Sequence, residues 1–200
     1  MKRKTVLRIL LAVILTILLL VGGFIAYVAF SHHNYIEPDT SDWKTGDLFF
    51  SVGDSWKSVA VRSLTGIKGE GINDSVPSHC GLIINTPAGL RLVHESTEAG
   101  HVVSESVDEY LQKNGAYCIY SMPAPYAVDT LKLKSDIDSL LERKVPFDFS
   151  FDHGNDEVLY CSEMVVKVSE LNGYKGFSDL RNQNYIYPED ILKICRSRRK

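Results

Sequence analysis

Cys80-Gly81-Leu82-Ile83-Ile84 is followed by Asn85-Thr86-Pro87-Ala88-Gly89 and then by Leu90-Arg91-Leu92-Val93-His94. Two short apolar runs flank five residues of turn chemistry, which reads as a β-hairpin. The hairpin matters because Ser78-His79 stand at its start and Glu95 at its end. An odd-numbered loop, Thr86 to Ala88 or Asn85 to Gly89, sets Val93 opposite Gly81 and Glu95 opposite His79. Directly opposed Cβ atoms lie about 4.5–5.5 Å apart on one face. A carboxylate so placed holds an imidazole in one tautomer, so this register is the expectation. An even loop instead pairs Glu95 with Cys80 and sends it to the other face.

The second informative string is Tyr160-Cys161-Ser162-Glu163. Met164, Val165, Val168 and Leu171 follow at helical spacing, and Gly173 stops the pattern. Cys161 therefore falls in the first turn of a helix, where free N–H groups and the positive end of the dipole favour a thiolate. The same N–H groups suit an oxyanion. A buried structural cysteine is the plain alternative. With His79 as base and Glu95 as its orienting group, Cys161 has the kit of a thiol nucleophile. His153 is the rival base because it is near Cys161 in sequence. His94 is expected to pack or face solvent, His101 lies in a loop, and His32 and His33 sit in a tether. Cys80 reads as a small apolar filler, and Cys118 and Cys195 as structural.

Working outward, Gly46-Asp47 turns into a short strand, Leu48-Phe49-Phe50, and Trp56 to Leu64 has near-helical spacing. Gly69, Gly71 and Pro77 mark a loop. Ser106 with Glu109 makes a capping box for a short helix. Cys118 to Tyr120 is strand-like, and an amphipathic helix is expected over Ala127 to Arg143. Strands and helices in separate runs imply an α+β fold with an antiparallel sheet.

The N-terminus places this domain in the cell. Ile9 to Phe30 runs 22 residues without a charge, enough as a helix to cross a hydrocarbon core of about 30 Å. A soluble helix is rarely apolar all round at this length. A cleaved signal peptide has a shorter apolar region and a small-x-small site, whereas here Tyr27 and Phe30 flank Ala29. Residues 1–30 are thus expected to be a basic tip and transmembrane signal anchor, 31–43 a tether and 44–200 one catalytic domain. Lys2, Arg3, Lys4 and Arg8 before the span, against Glu37, Asp39 and Asp42 after it, keep the N-terminus cytoplasmic and export the rest. A net charge of −3 with no basic stripe argues against a nucleic-acid partner. The terminal Arg196, Arg198, Arg199 and Lys200 read as a solvated tail. The four cysteines lack paired metal-ligand spacing, so no structural zinc and no cofactor are expected.

These strings together resemble the YiiX/YaeF-type permuted papain-like amidases of the NlpC-type cysteine peptidase superfamily. The matching pieces are Gly46 to Phe50, Ser78 to Ile83, Val93 to Ser96, Pro146 to Asp148, Tyr160 to Val165 and Tyr187 to Ile191, in that order. The resemblance implies a circularly permuted papain-like domain with a Cys161–His79–Glu95 triad. It also implies that Tyr160 lines the oxyanion site and that Asp47 belongs to the family's Gly-Asp opening, where a turn-capping role serves equally well. Cys80 and His94 depart from the commoner aliphatic or aromatic residues. The implied activity is that of a cysteine hydrolase or acyltransferase. Its substrate would be a lipid-linked or cell-wall peptide amide or ester, cleaved through an acyl-enzyme on Cys161. A papain-like binding module without turnover is the alternative.

Overall fold

The computed structural model describes residues 3–30, 35–65, 76–152, 154–155 and 157–197. His32, His33, His153, the Gly69/Gly71 loop and the terminal Arg198, Arg199 and Lys200 lie outside the described residues. The chain divides into two units, Met1–Asn34 and Tyr35–Lys200. The first is helix α1, Arg3–Phe30. Its stretch Val6–Ala26 is long and apolar enough to cross a membrane. Part of the expected tether belongs to the second unit: the Ile36 N–H donates to the Tyr117 carbonyl at 2.8 Å, and Trp43 is buried.

The second unit is built on one antiparallel sheet. Its strands are β1 Leu48–Gly53, β2 His79–Thr86, β3 Gly89–Ser96, β4 His101–Glu105 and β5 Ala116–Met122, in the order β4-β3-β2-β1-β5. Alternation along the strands sorts two cores. Leu48, Phe50, Cys80, Leu82, Ile84, Val93 and Val102 point to one face, and Phe49, Ile83, Leu92 and Ile119 to the other. The first face is covered by α4 Thr130–Arg143, α5 Cys161–Leu171 and α6 Pro188–Ser197. The second is covered by Tyr110 of α3, Val107–Asn114, and by Trp43. Helix α2, Trp56–Thr65, follows β1.

Helix α5 packs its apolar stripe flat on β2 and β3. Met164, Val165, Val166 and Val168 are all fully buried. At about 1.5–3 kcal/mol for each such side chain, this burial fixes the helix, and with it Cys161, against the sheet. The expected capping box is present: the Ser106 hydroxyl accepts from the Glu109 N–H, and the Glu109 side chain accepts from the Ser106 N–H. Helix α4 starts at Thr130, later than expected, because the Asp129 carboxylate caps it by accepting from the Leu131 and Lys132 N–H groups.

Candidate active site

Cys161 is the first residue of α5, and Tyr160 is its N-cap. The first intrahelical bond runs from the Met164 N–H to the Tyr160 carbonyl, at 2.9 Å. The N–H groups before it have no acceptor inside the helix and point at the space around the thiol. The Cys161 sulfur lies 3.7 Å from the Ser162 hydroxyl, and so does the sulfur of Cys80 from β2. The neighbouring Cys80 thiol is the largest influence favouring a Cys161 thiolate, and His79 adds to it. Together they hold the Cys161 thiol well below its ordinary value, against the opposing effect of burial. Burial and the neighbouring Cys161 push the Cys80 thiol well above its own.

Behind His79 runs a chain of hydrogen bonds. His79 Nε2 lies 3.1 Å from His94 Nδ1, and His94 Nε2 lies 3.2 Å from Glu105 Oε2. Lys113 Nζ donates to Glu105 Oε1 at 2.7 Å. Chemistry fixes the tautomers. The hydrogen bond from His94, with Lys113 assisting, holds the Glu105 carboxyl down at about 2, so it is ionised and can only accept. Burial pulls His94 down, so it is neutral and carries its one proton on Nε2, facing Glu105. With that tautomer His94 Nδ1 accepts from the His79 Nε2–H, and the Glu95 carbonyl oxygen lies 3.2 Å from the same nitrogen. The contact with His94 uses His79 Nε2 and not Nδ1. The aromatic packing fits this order: His94 stands edge-on to both Tyr110 and Phe49, and Tyr110 is itself held by Ser51 at 2.6 Å.

The hairpin register differs from the expected one. Thr86 pairs with Gly89 and Leu82 with Val93, leaving only Pro87 and Ala88 at the tip. Gly89 takes φ 110°, which lets the chain re-enter the ladder at once and makes the loop even. Continued along the strands, this register sets Glu95 beside Cys80 on the α5 face and His94 beside Gly81 on the His79 face. Glu95 is therefore not opposite His79. It is fully buried, and neither carboxylate oxygen has a hydrogen-bond partner among the described residues. Burial, with Cys161 and Glu163 nearby, pushes its carboxyl up to about 9, so it is neutral at physiological pH. His94, expected to pack or face solvent, is buried and bridges His79 to Glu105. Gly81 lies beside it: a Cβ there would run into the Val93 carbonyl and the Phe49 ring and come within 3.0 Å of the His94 Cβ, so the chain packs this closely only with glycine.

Two cavities meet at Ser78 and Val61. One, of about 290 Å³, has Cys161 and Ser162 in its wall among Leu64, Phe151, Tyr160 and Ile186. The other, of about 530 Å³, is of mixed lining and holds His79 with Ser51, Lys57 and Asn114 beside Trp56 and Tyr110. Tyr160 lines the first cavity with its ring, while its hydroxyl accepts from the Ile186 N–H at 3.0 Å and so pins the opposite wall. Asp47 caps its turn, accepting from the Lys44 N–H at 2.8 Å.

A family model of permuted papain-like amidase enzymes, YaeF/YiiX, C92 family, matches residues 44–185. The solved structure of metalloprotein YiiX from Escherichia coli O157:H7 is similar in fold, with a TM-score of 0.51 at 17% identity. The match covers 74% of this chain and 91% of that one. No match to a curated protein was found. Among the described residues no three His, Cys, Asp or Glu side chains are arranged to hold a metal ion. With its antiparallel sheet, its helix-borne Cys161 and its family match over residues 44–185, the chain belongs to the YaeF/YiiX permuted papain-like amidases.

Proposed function

We propose that this chain is a membrane-anchored cysteine hydrolase that cleaves amides or esters carrying an apolar acyl group. The Cys161 thiolate attacks the carbonyl carbon, and the N–H groups at the start of α5 receive the developing oxyanion. His79, holding the proton on Nδ1, delivers it to the leaving amine or alcohol, and then takes one from water to resolve the thioester. His94 and Glu105 take the orienting role expected of Glu95, because they are the groups hydrogen-bonded behind His79. Tyr160 lines the acyl side.

The observation that carries this reading is the apolar wall beside the nucleophile. Phe151, Tyr160, Ile186 and Pro188 surround Cys161, while Ser51, Lys57, Lys113 and Asn114 bring polar groups to the His79 side across the Ser78 divide. An acyl chain fits the first chamber and a polar leaving group the second. The apolar helix supports an anchor with a cytoplasmic N-terminus and an extracytoplasmic domain, which favours lipid-linked substrates over cell-wall peptides. Transfer of the acyl group to an amine or alcohol is the same chemistry with another acceptor. The test is to incubate the full chain in detergent micelles with N-acyl amino acids and, separately, with muropeptides. Release of fatty acid, with a thioester trapped on Cys161, is expected. Turnover of muropeptides alone, or turnover surviving Cys161→Ala, overturns the reading.

A further inference from the structure

Cys80 departs from the aliphatic residue expected at its place, and its position gives that departure a meaning. It is fully buried on β2 facing α5, and its sulfur and that of Cys161 both lie 3.7 Å from the one Ser162 hydroxyl. Both sulfurs thus face the same hydroxyl where β2 packs against the start of α5. All four cysteines are free. Cys161 is half-buried and lines an open cavity, so a small oxidant reaches it, whereas Cys80 is sealed behind it.

We propose that Cys161 is an oxidation site for hydroperoxides, and that Cys80 is its resolving thiol, so that the nucleophile is stored as a reversible Cys80–Cys161 disulfide. The inference deepens the functional reading, since it uses the same thiolate. In the first step the Cys161 thiolate attacks the distal peroxide oxygen. The O–O bond breaks, and the leaving alkoxide or hydroxide takes the proton from His79 Nδ1 and departs as alcohol or water. The sulfur becomes a sulfenic acid, oxidised by two electrons as the peroxide is reduced by two. In the second step the Cys80 sulfur attacks the Cys161 sulfur, the S–O bond breaks and water leaves, carrying the Cys80 proton.

Two features suit the pair to this task. Cys80 holds its proton while the nucleophile is reduced, so it does not compete for substrate. The Ser162 hydroxyl, equidistant from both sulfurs, is placed to pass the proton between them. An aliphatic residue at position 80 leaves the sulfenic acid to be oxidised onward, beyond thiol rescue.

The full chain in detergent micelles is treated with equimolar hydrogen peroxide, its free thiols are blocked, and it is digested without reductant for mass spectrometry. The expected product joins the Cys80 and Cys161 peptides in more than half of the molecules, and dithiothreitol releases them. In Cys80→Val, Cys161 should label with dimedone at least tenfold more than in the unchanged chain. A linkage of Cys161 to Cys118 or Cys195 overturns the proposal. So does a wild-type Cys161 that stays dimedone-reactive while Cys80 remains alkylatable after unfolding. The wild-type linkage map needs no variant to fold. Because the readout is mass, a failed hydrolysis assay sinks the substrate reading and leaves this one standing.

Discussion

Replacing Glu95 by Gln separates the two carboxylates of the site. In the folded chain Glu95 keeps its proton up to about 9, against 4.5 for the free side chain. Between those values the unfolded chain has released a proton that the native chain still binds. Stability therefore falls as pH rises, by about 1.4 kcal/mol per unit. At pH 7 the buried acid costs about 3 kcal/mol relative to pH 4.5, as an order of magnitude. Gln has the same shape and no charge to lose, so Glu95→Gln should match the unchanged chain near pH 4.5 and exceed it by roughly 2–4 kcal/mol at pH 7–8. Urea unfolding of the full chain in micelles, followed by tryptophan fluorescence at each pH, reads this directly. Ester hydrolysis by Glu95→Gln should stay within about threefold at neutral pH, because a neutral acid is exchanged for a neutral amide. A variant less stable at pH 7, or slowed a hundredfold, would show that Glu95 is ionised and paired with His79 after all.

Three further outcomes follow from the same geometry. Glu105→Gln frees the His94 tautomer and should lower kcat for p-nitrophenyl ester hydrolysis about 10–100-fold with little change in KM; an unchanged kcat refutes the relay. Iodoacetamide should alkylate Cys161 with a midpoint well below that of a free thiol, and Cys80→Val should move this midpoint upward, since Cys80 is the largest influence favouring the thiolate. A profile with the ordinary midpoint near 8.5 counts against the thiolate. Gly81→Ala drives a Cβ into the Val93 carbonyl and the Phe49 ring, and chemical denaturation should show a loss of at least about 2 kcal/mol, with wild-type stability as the contrary result.

What the sequence made legible was local. The hairpin, the capping box at Ser106 and the helix beginning at Cys161 each carry their signal within a few residues, and each is present. The register was not legible, because it depended on whether Pro87 and Ala88 alone form the tip, which is decided by the backbone at Gly89. One slipped residue exchanged the faces of Glu95 and His94. Glu105 escaped notice because β4 is short and its pairing with β3, Leu92 opposite Glu105, is a non-local fact. Helix α6 did carry a readable start, Pro188 followed by Glu189 and Asp190 in the first turn.

The slip has an electrostatic logic. A carboxylate anion about 5 Å from a thiolate, at an effective dielectric of about 20, costs about 3 kcal/mol, which would return the proton to the sulfur. The α5 face therefore holds its carboxyl neutral, and Glu95 meets the requirement by deep burial without a donor. The ionised carboxylate sits instead at Glu105, behind His94 and balanced by Lys113, where under the proposed mechanism it orients the base. His94 carries that orientation through a neutral ring, so His79 is aligned without an anion being brought up to the nucleophile. A direct Glu95–His79 contact gives one of these benefits at the expense of the other. The observed chain of His79, His94 and Glu105 gives both.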